Sequence, residues 1–389
     1  MKKRAVFLAQ KFDGSVHEII NTSILYMLSK TYDEVSVFAP IGTIENLKEQ
    51  LRLLNNYSIN LSFHPTHYCA IRKPSILLPF VAIQYFKASI YSAKDCDIFI
   101  SSYNPIFILF SNFLSRINRQ KFYHICHMDL ELLRLSKRGK IDFEWRIIRF
   151  VFKNHKLNKS NKLIVLGDSI KNNLKKYMNQ DDWLNNVLSI IHPYYLSNDP
   201  HENLVHKGLN GVLKIGIVNE IRNGQMKHLS EMNALVENFP NIEVHSISRR
   251  KFDIASLHNI INDNPNNVFL ERCEYNKFVA GFDYIYYPYD MDSYKLGPSG
   301  AIYEAIVNGK PFVAPFNDYF DWLIKKFGDI GFLYKTSAEL ELILTKISSH
   351  EIGVNPHLYE KVRNYLNPQY FVDCFSKVIF GHQDENTSC

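Results

Sequence analysis

The sequence predicts an α/β protein of two domains, each built on a parallel sheet covered by helices on both faces. Three observations carry that expectation. Short runs rich in Val, Ile and aromatic residues recur and alternate with segments of helical composition, the pattern of parallel sheets rather than hairpins. A polar stretch over residues 197–211, rich in Asn, His and Asp, breaks the alternation near the middle and predicts a linker. At 389 residues the chain has room for two domains of ordinary size. The resulting boundaries are a first domain over 1–196, a second over 212–357, and helices over 358–389.

Composition excludes several classes. A hydrophobic content of 46% with 22% charged residues is globular rather than disordered, and an aromatic content of 14% implies substantial cores. The six cysteines form no Cys-x-x-Cys pair, so neither a zinc nor a disulfide framework is expected, and a reducing cytoplasm is. The opening Met-Lys-Lys-Arg is followed by only five apolar residues, too few for a signal peptide, and reads as the start of the first buried strand. The apolar stretches 76–86 and 106–114 are interrupted well short of the roughly 18 continuous residues of a spanning helix, so none is expected.

Taken in order, the first strand spans 5–9 and runs into a loop containing Asp13, Gly14 and Ser15. A glycine at that turn lets a substrate come close to backbone, and a helix over 16–28 begins just before His17. Strands follow at 33–40 and 95–101, and another from Lys121 that ends in His127 and Asp129. Ligands gather beyond the carboxyl ends of parallel strands, so those two side chains are candidates for a site. A strand at 162–166 leads to a helix over 168–177 capped by Asp168. The second half opens with a strand at 213–218, a loop holding Arg222, Gly224 and Lys227, and a helix to about 237. Further strands are expected at 242–247 and 267–270, the first leading to Arg249 and Arg250. No Gly-x-Gly-x-x-Gly follows the first strand, which counts against a nicotinamide or flavin cofactor.

The most informative stretch is 283–315, which reads as strand, ordered loop, helix and strand. Residues 284–287 are aromatic and β-branched and stop at Pro288, whereas 301–307 is good helix-forming sequence closed by Asn308 and Gly309. Gly297, Pro298, Ser299 and Gly300 stand where the helix starts, so a ligand can reach N–H groups without intrahelical partners, and a phosphate suits that place. Glu304, four residues beyond Gly300 and so expected on the same helical face, would suit a hydroxyl pair such as a ribose. A nucleotide diphosphate meets both demands. Without a ligand, the same residues make an ordinary glycine-rich strand-to-helix turn.

Ser299-Gly300 followed by Glu304-Ala305, Gly309 and Pro311 resembles the donor-site signature of GT-B glycosyltransferases, most like the large retaining family four. That fold has two Rossmann-like domains whose parallel sheets face across a cleft, an acceptor side on the first domain and a nucleotide-sugar side on the second, and a C-terminal helix that crosses back. The resemblance implies transfer of a sugar from a nucleotide-diphosphate donor to a hydroxyl of a glycan or polyprenyl-linked acceptor, in surface polysaccharide synthesis. It gives Arg222 and Lys227 to the diphosphate with Ser299 and Gly300, Glu304 to the ribose and His127 to the donor sugar. Gly14, Ser15 and His17 fall on the acceptor-side loop. The sequence departs from the family at Leu296, where the first of two paired glutamates is expected. No cofactor or metal is implied; Asp290 and Asp292 form an Asp-x-Asp pair of the kind that holds metal in the other major glycosyltransferase fold. An inverting reaction would need a base, and Asp13, His17 and Asp129 are the candidates.

Charge is unevenly spread. Residues 116–176 hold 16 Lys or Arg against 5 Asp or Glu, although the whole chain carries only +6. Basic side chains interleaved with aromatic and aliphatic ones over 130–160 suit the anionic inner face of the cytoplasmic membrane, and equally a solvated helix face over an inward apolar stripe. No nucleic-acid-binding module is recognisable. Two other functions share the architecture: a nucleotide-sugar epimerase or hydrolase, and a catalytically silent partner subunit, the latter prompted by Leu296.

Overall fold

A computed structural model describes residues 2–9, 13–14, 17–54, 60–66, 96–101, 106–118, 120–134, 142–154, 156–194, 211–221, 223–249, 256–268, 270–353 and 356–381. The chain divides into two compact units. One comprises Met1–Asn198, Tyr294–Pro298 and Leu366–Cys389, the other Asp199–Ser293 and Ser299–Tyr365. The α/β class and parallel sheets expected from the sequence are what the structure has.

In the first unit the strands are β1 (Arg4–Leu8), β2 (Glu34–Ala39), β3 (Leu61–Pro65), β4 (Cys96–Ser101), β5 (Lys121–Cys126), β6 (Asn161–Val165) and β7 (Val187–Ser189). Among the described residues they form one sheet in the order β3-β2-β1-β4-β5-β6-β7, every pairing parallel. The helices are α1 (Glu18–Thr31), α2 (Ile41–Leu53), α3 (Ile106–Asn118), α4 (Asp142–Asn154), α5 (Asp168–Leu174) and α6 (Gln180–Asn186). The strands are near-continuous apolar runs because helices cover both faces; Phe7, Val37, Phe99, Leu163 and Ile164 are wholly buried. One polar device crosses this core. His124 Nε2 lies 2.8 Å from Ser111 Oγ and 3.0 Å from Asn161 Oδ1, and burial pushes the imidazole pKa down to about 4, so it is neutral at pH 7.

In the second unit β8 (Leu213–Ile217), β9 (Ile242–Ser246), β10 (Ile260–Asn262), β11 (Tyr284–Tyr286), β12 (Phe312–Pro315) and β13 (Gly331–Tyr334) pair in the order β10-β9-β8-β11-β12-β13, again all parallel among the described residues. Its helices are α7 (Met226–Val236), α8 (Arg272–Ala280), α9 (Ile302–Val307), α10 (Asp318–Phe327), α11 (Ser337–Ser348) and α12 (Pro356–Tyr365). Side-chain caps start two of these, with Asn317 accepting from Phe320 N and Thr336 from Glu339 N. The last helix, α13 (Pro368–Phe380), belongs to the first unit: Thr31 Oγ1 is 3.3 Å from Ser376 Oγ, and Phe375 and Phe380 meet the rings of Phe99 and Tyr32 at 5.6 and 5.8 Å.

Three local expectations need correction. Of the strand expected over 267–270, residue 269 lies outside the described residues and 267, 268 and 270 are in no strand; the side chain of Asn264 accepts from Val268 N at 3.1 Å and donates to Val268 O at 3.0 Å, occupying the backbone groups that a neighbouring strand would use. The strand of this region is the three-residue β10. Asp168 is not a cap, since Gly167 holds that position with φ 151° and Asp168 lies in the first turn, where its charge still complements the helix dipole. Helix α9 begins at Ile302 with Ala301 as its cap, so Gly300 precedes the helix and the four-residue spacing to Glu304 does not put both on one helical face.

Candidate functional site

Each sheet keeps its first strand central and reverses its order there: β1 lies between β2 and β4, and β8 between β9 and β11. Ligands of open parallel sheets bind beyond the carboxyl ends of strands at such a reversal. The two units offer different side chains in these places.

In the first unit three histidines converge. His127 follows β5, and its ring centroid lies 4.5 Å from that of His17 in an edge-to-face arrangement. His192, beyond β7, is 5.7 Å from His127 on centroids. His17 leads α1 in the left-handed conformation at φ 62°, an uncommon strain for a non-glycine residue and a recurrent mark of functional positions. His192 is buried, and burial holds its imidazole pKa down at about 4. Sequence reading singled out His17 and His127 and missed His192, which stands in an apolar strand-end run that nothing local distinguishes.

Asp129 is half-buried in the short 3₁₀ turn Asp129–Leu133 that follows His127. Asp13 is exposed and serves the backbone, since its Oδ1 accepts from Gly14 N at 2.9 Å and from Thr43 N at 3.1 Å, capping α2 from outside the helix. Gly14 adopts φ 75°, in the left-handed region that glycine enters without steric cost. Ser15 lies outside the described residues, as do the linker residues 197–210, the apolar stretch 76–86, and Lys137, Arg138 and Lys140.

Residues 294–298 also belong to the first unit. Leu296, at the position of the missing acid, is fully buried, and its N–H donates to Glu131 Oε1 at 2.6 Å; Glu131 Oε2 accepts from Arg134 Nε at 2.8 Å. Asn173 Nδ2 donates to Lys295 O at 3.1 Å. Gly297 sits so close that a Cβ there would lie 2.7 Å from Met128 sulfur and 3.1 Å from the His127 carbonyl. A side chain at this position would displace the Met128 thioether and crowd the His127 carbonyl.

In the second unit Ser299 is 1% exposed, and its Oγ has no hydrogen-bond partner among the described residues. A buried hydroxyl without a partner costs about 1–3 kcal/mol, which a ligand at that place would recover. The turn around it is fixed by Tyr287, whose phenol donates to Ala301 O at 2.6 Å. Glu304 is buried in the first turn of α9. Lys227 is exposed in the first turn of α7, and Arg222 lies outside the described residues.

The sequence did not foresee the setting of His228 and Asp290. His228 is 7% exposed, with Nε2 3.5 Å from Asp290 Oδ1, while Glu231 Oε2 stands 3.6 Å from Nδ1, beyond hydrogen-bond reach. Asp290 Oδ2 closes on Gly224, where a Cβ would lie 2.8 Å away. The His228 carbonyl accepts from Tyr286 OH at 3.0 Å, and Tyr286 OH is 2.7 Å from Tyr334 OH. Among the described residues no three His, Cys, Asp or Glu side chains are grouped to hold a metal ion, Asp290 and Asp292 included.

No family model matches the sequence, and no curated protein sequence does either. Solved structures match over nearly the whole chain. Sucrose-phosphate synthase from Thermosynechococcus elongatus superposes with a TM-score of 0.65 at 12% identity, covering 98% of this chain and 100% of that one. HepE of Anabaena in complex with UDP and glucose gives 0.63 at 12% identity, with 97% and 99% covered. A glycosyltransferase from Rickettsia africae gives 0.62 at 11%, with 98% and 100% covered. The chain has the GT-B fold, with two Rossmann-like domains. At such identities the likeness is one of fold, and function has to be argued from the site.

Proposed function

We propose that this protein is a glycosyltransferase that moves one sugar from a nucleotide-diphosphate donor to a hydroxyl of a glycan or polyprenyl-linked acceptor. The observation that carries the reading is the buried Ser299 hydroxyl, without a hydrogen-bond partner among the described residues, in the connection from β11 to α9 of a GT-B chain. That solved structures of the same fold hold UDP and UDP-glucose supports the donor class.

In this reading Ser299 and the Gly300 turn receive a phosphate, Lys227 and Arg222 add positive charge, and Glu304 takes the ribose hydroxyls. As the bond from the anomeric carbon to the diphosphate breaks, charge grows on the leaving oxygen, and these groups stabilise it. The acceptor hydroxyl bonds to the anomeric carbon and loses its proton. In the retaining course that the donor-loop resemblance favours, the proton passes to the departing phosphate and no side-chain base or metal is needed. In an inverting course Asp129, His17 or Asp13 would take it. His127 contacts the donor sugar, steadied by its ring contacts to His17 and His192.

The acceptor side carries Phe113 and Ile117, four residues apart on α3 and 59% and 60% exposed, and Phe150 on α4, with Arg116, Arg146 and Lys153 along the same helices. No helix of the described residues is long and apolar enough to cross a membrane. A surface of that composition suits peripheral contact with an anionic bilayer and a lipid-linked acceptor. A role in surface polysaccharide synthesis belongs to the same proposal.

Incubation with UDP-glucose and other nucleotide sugars, with and without hydroxyl acceptors, followed by mass spectrometry, tests the activity. Acceptor-dependent release of nucleoside diphosphate with a new glycoside supports it. Release without transfer would replace it with a hydrolase, and an altered free nucleotide sugar with an epimerase.

A further inference from the structure

We infer that Glu131 is a positioning residue for the Ser299 turn: its carboxylate holds the chain at Leu296, so that the turn three residues further on is formed before a donor arrives. The inference rests on the donor-site reading given above and gives a role to an acid that lies outside the donor signature.

The chain leaves the second unit after Ser293, runs through the first as residues 294–298 and re-enters the second at Ser299. No helix or strand orders this segment, so side chains do it instead. Lys295 O accepts from Asn173 Nδ2 at 3.1 Å, Leu296 N–H donates to Glu131 Oε1 at 2.6 Å, and Gly297 packs where a Cβ would lie 2.7 Å from the Met128 sulfur. Three successive residues are tied down, each by a different residue of the first unit. The middle tie is the strongest of them, because an ionised acceptor roughly doubles the strength of a hydrogen bond. Its carboxylate is oriented as well as placed: Glu131 is 9% exposed, and Arg134 Nε donates to the other oxygen, Oε2, at 2.8 Å. The turn that carries Glu131 is itself fixed, since Glu131 N donates to Met128 O and Arg149 Nη2 to Leu132 O, both at 3.2 Å, with Leu130 and Leu133 buried.

The hold reaches Ser299 through a stiff link. Only Pro298 separates Gly297 from Ser299; its ring fixes its own φ and narrows the conformations of the residue before it. With Leu296 and Gly297 anchored, few soft torsions remain ahead of the buried Ser299 hydroxyl. A phosphate meeting a loose turn would have to order it, and the apparent affinity would fall by the fraction of time the turn is formed. Glu131 meets that cost before binding, through the chain and without touching the ligand.

The test is calorimetric titration of the full chain with UDP, with denaturant unfolding of each variant alongside. Glu131→Ala is expected to weaken UDP binding roughly tenfold, the scale of one charge-assisted hydrogen bond lost from an ordered turn. Arg134→Met leaves the acid but removes what orients it, and is expected to weaken UDP severalfold. The double variant should bind no more weakly than Glu131→Ala alone, because Arg134 acts only through Glu131. Asn179→Ala, which removes the cap of α6 elsewhere in the first unit, should lower stability and leave UDP affinity within about twofold. Unchanged UDP affinity in Glu131→Ala overturns the inference and leaves the donor site standing. Effects of the two single variants that multiply overturn it too, since the side chains then act separately, and equal weakening by Asn179→Ala reduces Glu131 to a part of the first unit's stability. Should Glu131→Ala fail to fold, Arg134→Met decides in the same sense. If UDP binds neither wild type nor any variant, the donor-site reading falls and this inference with it.

Discussion

The two sheets are built alike and furnished differently. Both are parallel, and both reverse strand order at their first strand, so the same end of each is open to a ligand. Beyond the first sheet stand aromatic imidazoles, His17, His127 and His192, one of them buried and neutral. Beyond the second stand small residues, a buried hydroxyl, a cation and acids: Gly224, Ser299, Lys227, Glu304 and Asp290. Imidazole rings with narrow hydrogen-bonding choices suit a sugar or an acceptor, whereas small residues at strand ends suit phosphate. In the proposed function the strand order that the two sheets share sets where a ligand goes, and the loops decide which ligand it is.

Mutation of the two ends separates them. Glu304→Ala should lower kcat/KM for the donor by roughly a hundredfold or more, about 3 kcal/mol, because a charge-assisted bond to the ribose is lost in a buried place. His127→Ala should instead lower kcat by roughly tenfold to a hundredfold and leave the affinity for UDP within about twofold, as expected of a group that touches sugar and not nucleotide. Steady-state kinetics with paired titrations check both; UDP affinity that collapses in His127→Ala would erase the division between the ends.

Acid should strike the first sheet selectively. His124 and His192 have folded pKa values of about 4, below the ordinary 6.5 of an unfolded chain. Between those values the unfolded chain binds more protons, so the stability these groups contribute is complete above pH 6.5 and is lost as pH falls towards 4. From pH 7 to pH 5 the loss is roughly 2 kcal/mol for each imidazole. Denaturant unfolding at both pH values, with His192→Gln as comparison, measures it; a pH-independent first transition would contradict the buried neutral state. A smaller effect is expected from Tyr286→Phe, which deprives the His228 carbonyl and the Tyr334 hydroxyl of a partner and should cost about 1–2 kcal/mol of the second unit's stability. The smallest is at the surface: Phe150→Ser with Phe113→Ser should reduce flotation with anionic liposomes severalfold at low salt without altering UDP binding.

Most of the fold was legible because buried parallel strands are written as dense apolar runs. The run at 121–126 and the unit over 283–315 needed no tertiary information. What failed was decided by side chains far from the pattern. Asn264 pairs with both backbone groups of Val268 and keeps that residue out of a strand, while the strand of that region, β10, has three residues, too few to show a period. At the site, Ser299 and Glu304 were visible as a spaced motif, and His127 as a strand end. Asp13 was visible as an acid in a loop, but not as the external cap of α2. His192, His228 and the setting of Asp290 were invisible, because their meaning comes only from neighbours that the fold delivers from other strands. Leu296 read as a missing acid and is a buried residue whose N–H is held by an acid from elsewhere in the chain, Glu131.

The central claim is a nucleotide-diphosphate site on the second sheet. Its most direct measurement is the thermal stabilisation of the purified protein by a panel of nucleoside diphosphates and their sugars, for wild type and Glu304→Ala. Ligand at about a hundred times its dissociation constant should add roughly 2.7 kcal/mol to the native state. The account predicts a rise of several degrees in melting temperature with one base, lost in Glu304→Ala. No rise with any of them would contradict it and make the chain a catalytically silent member of its fold.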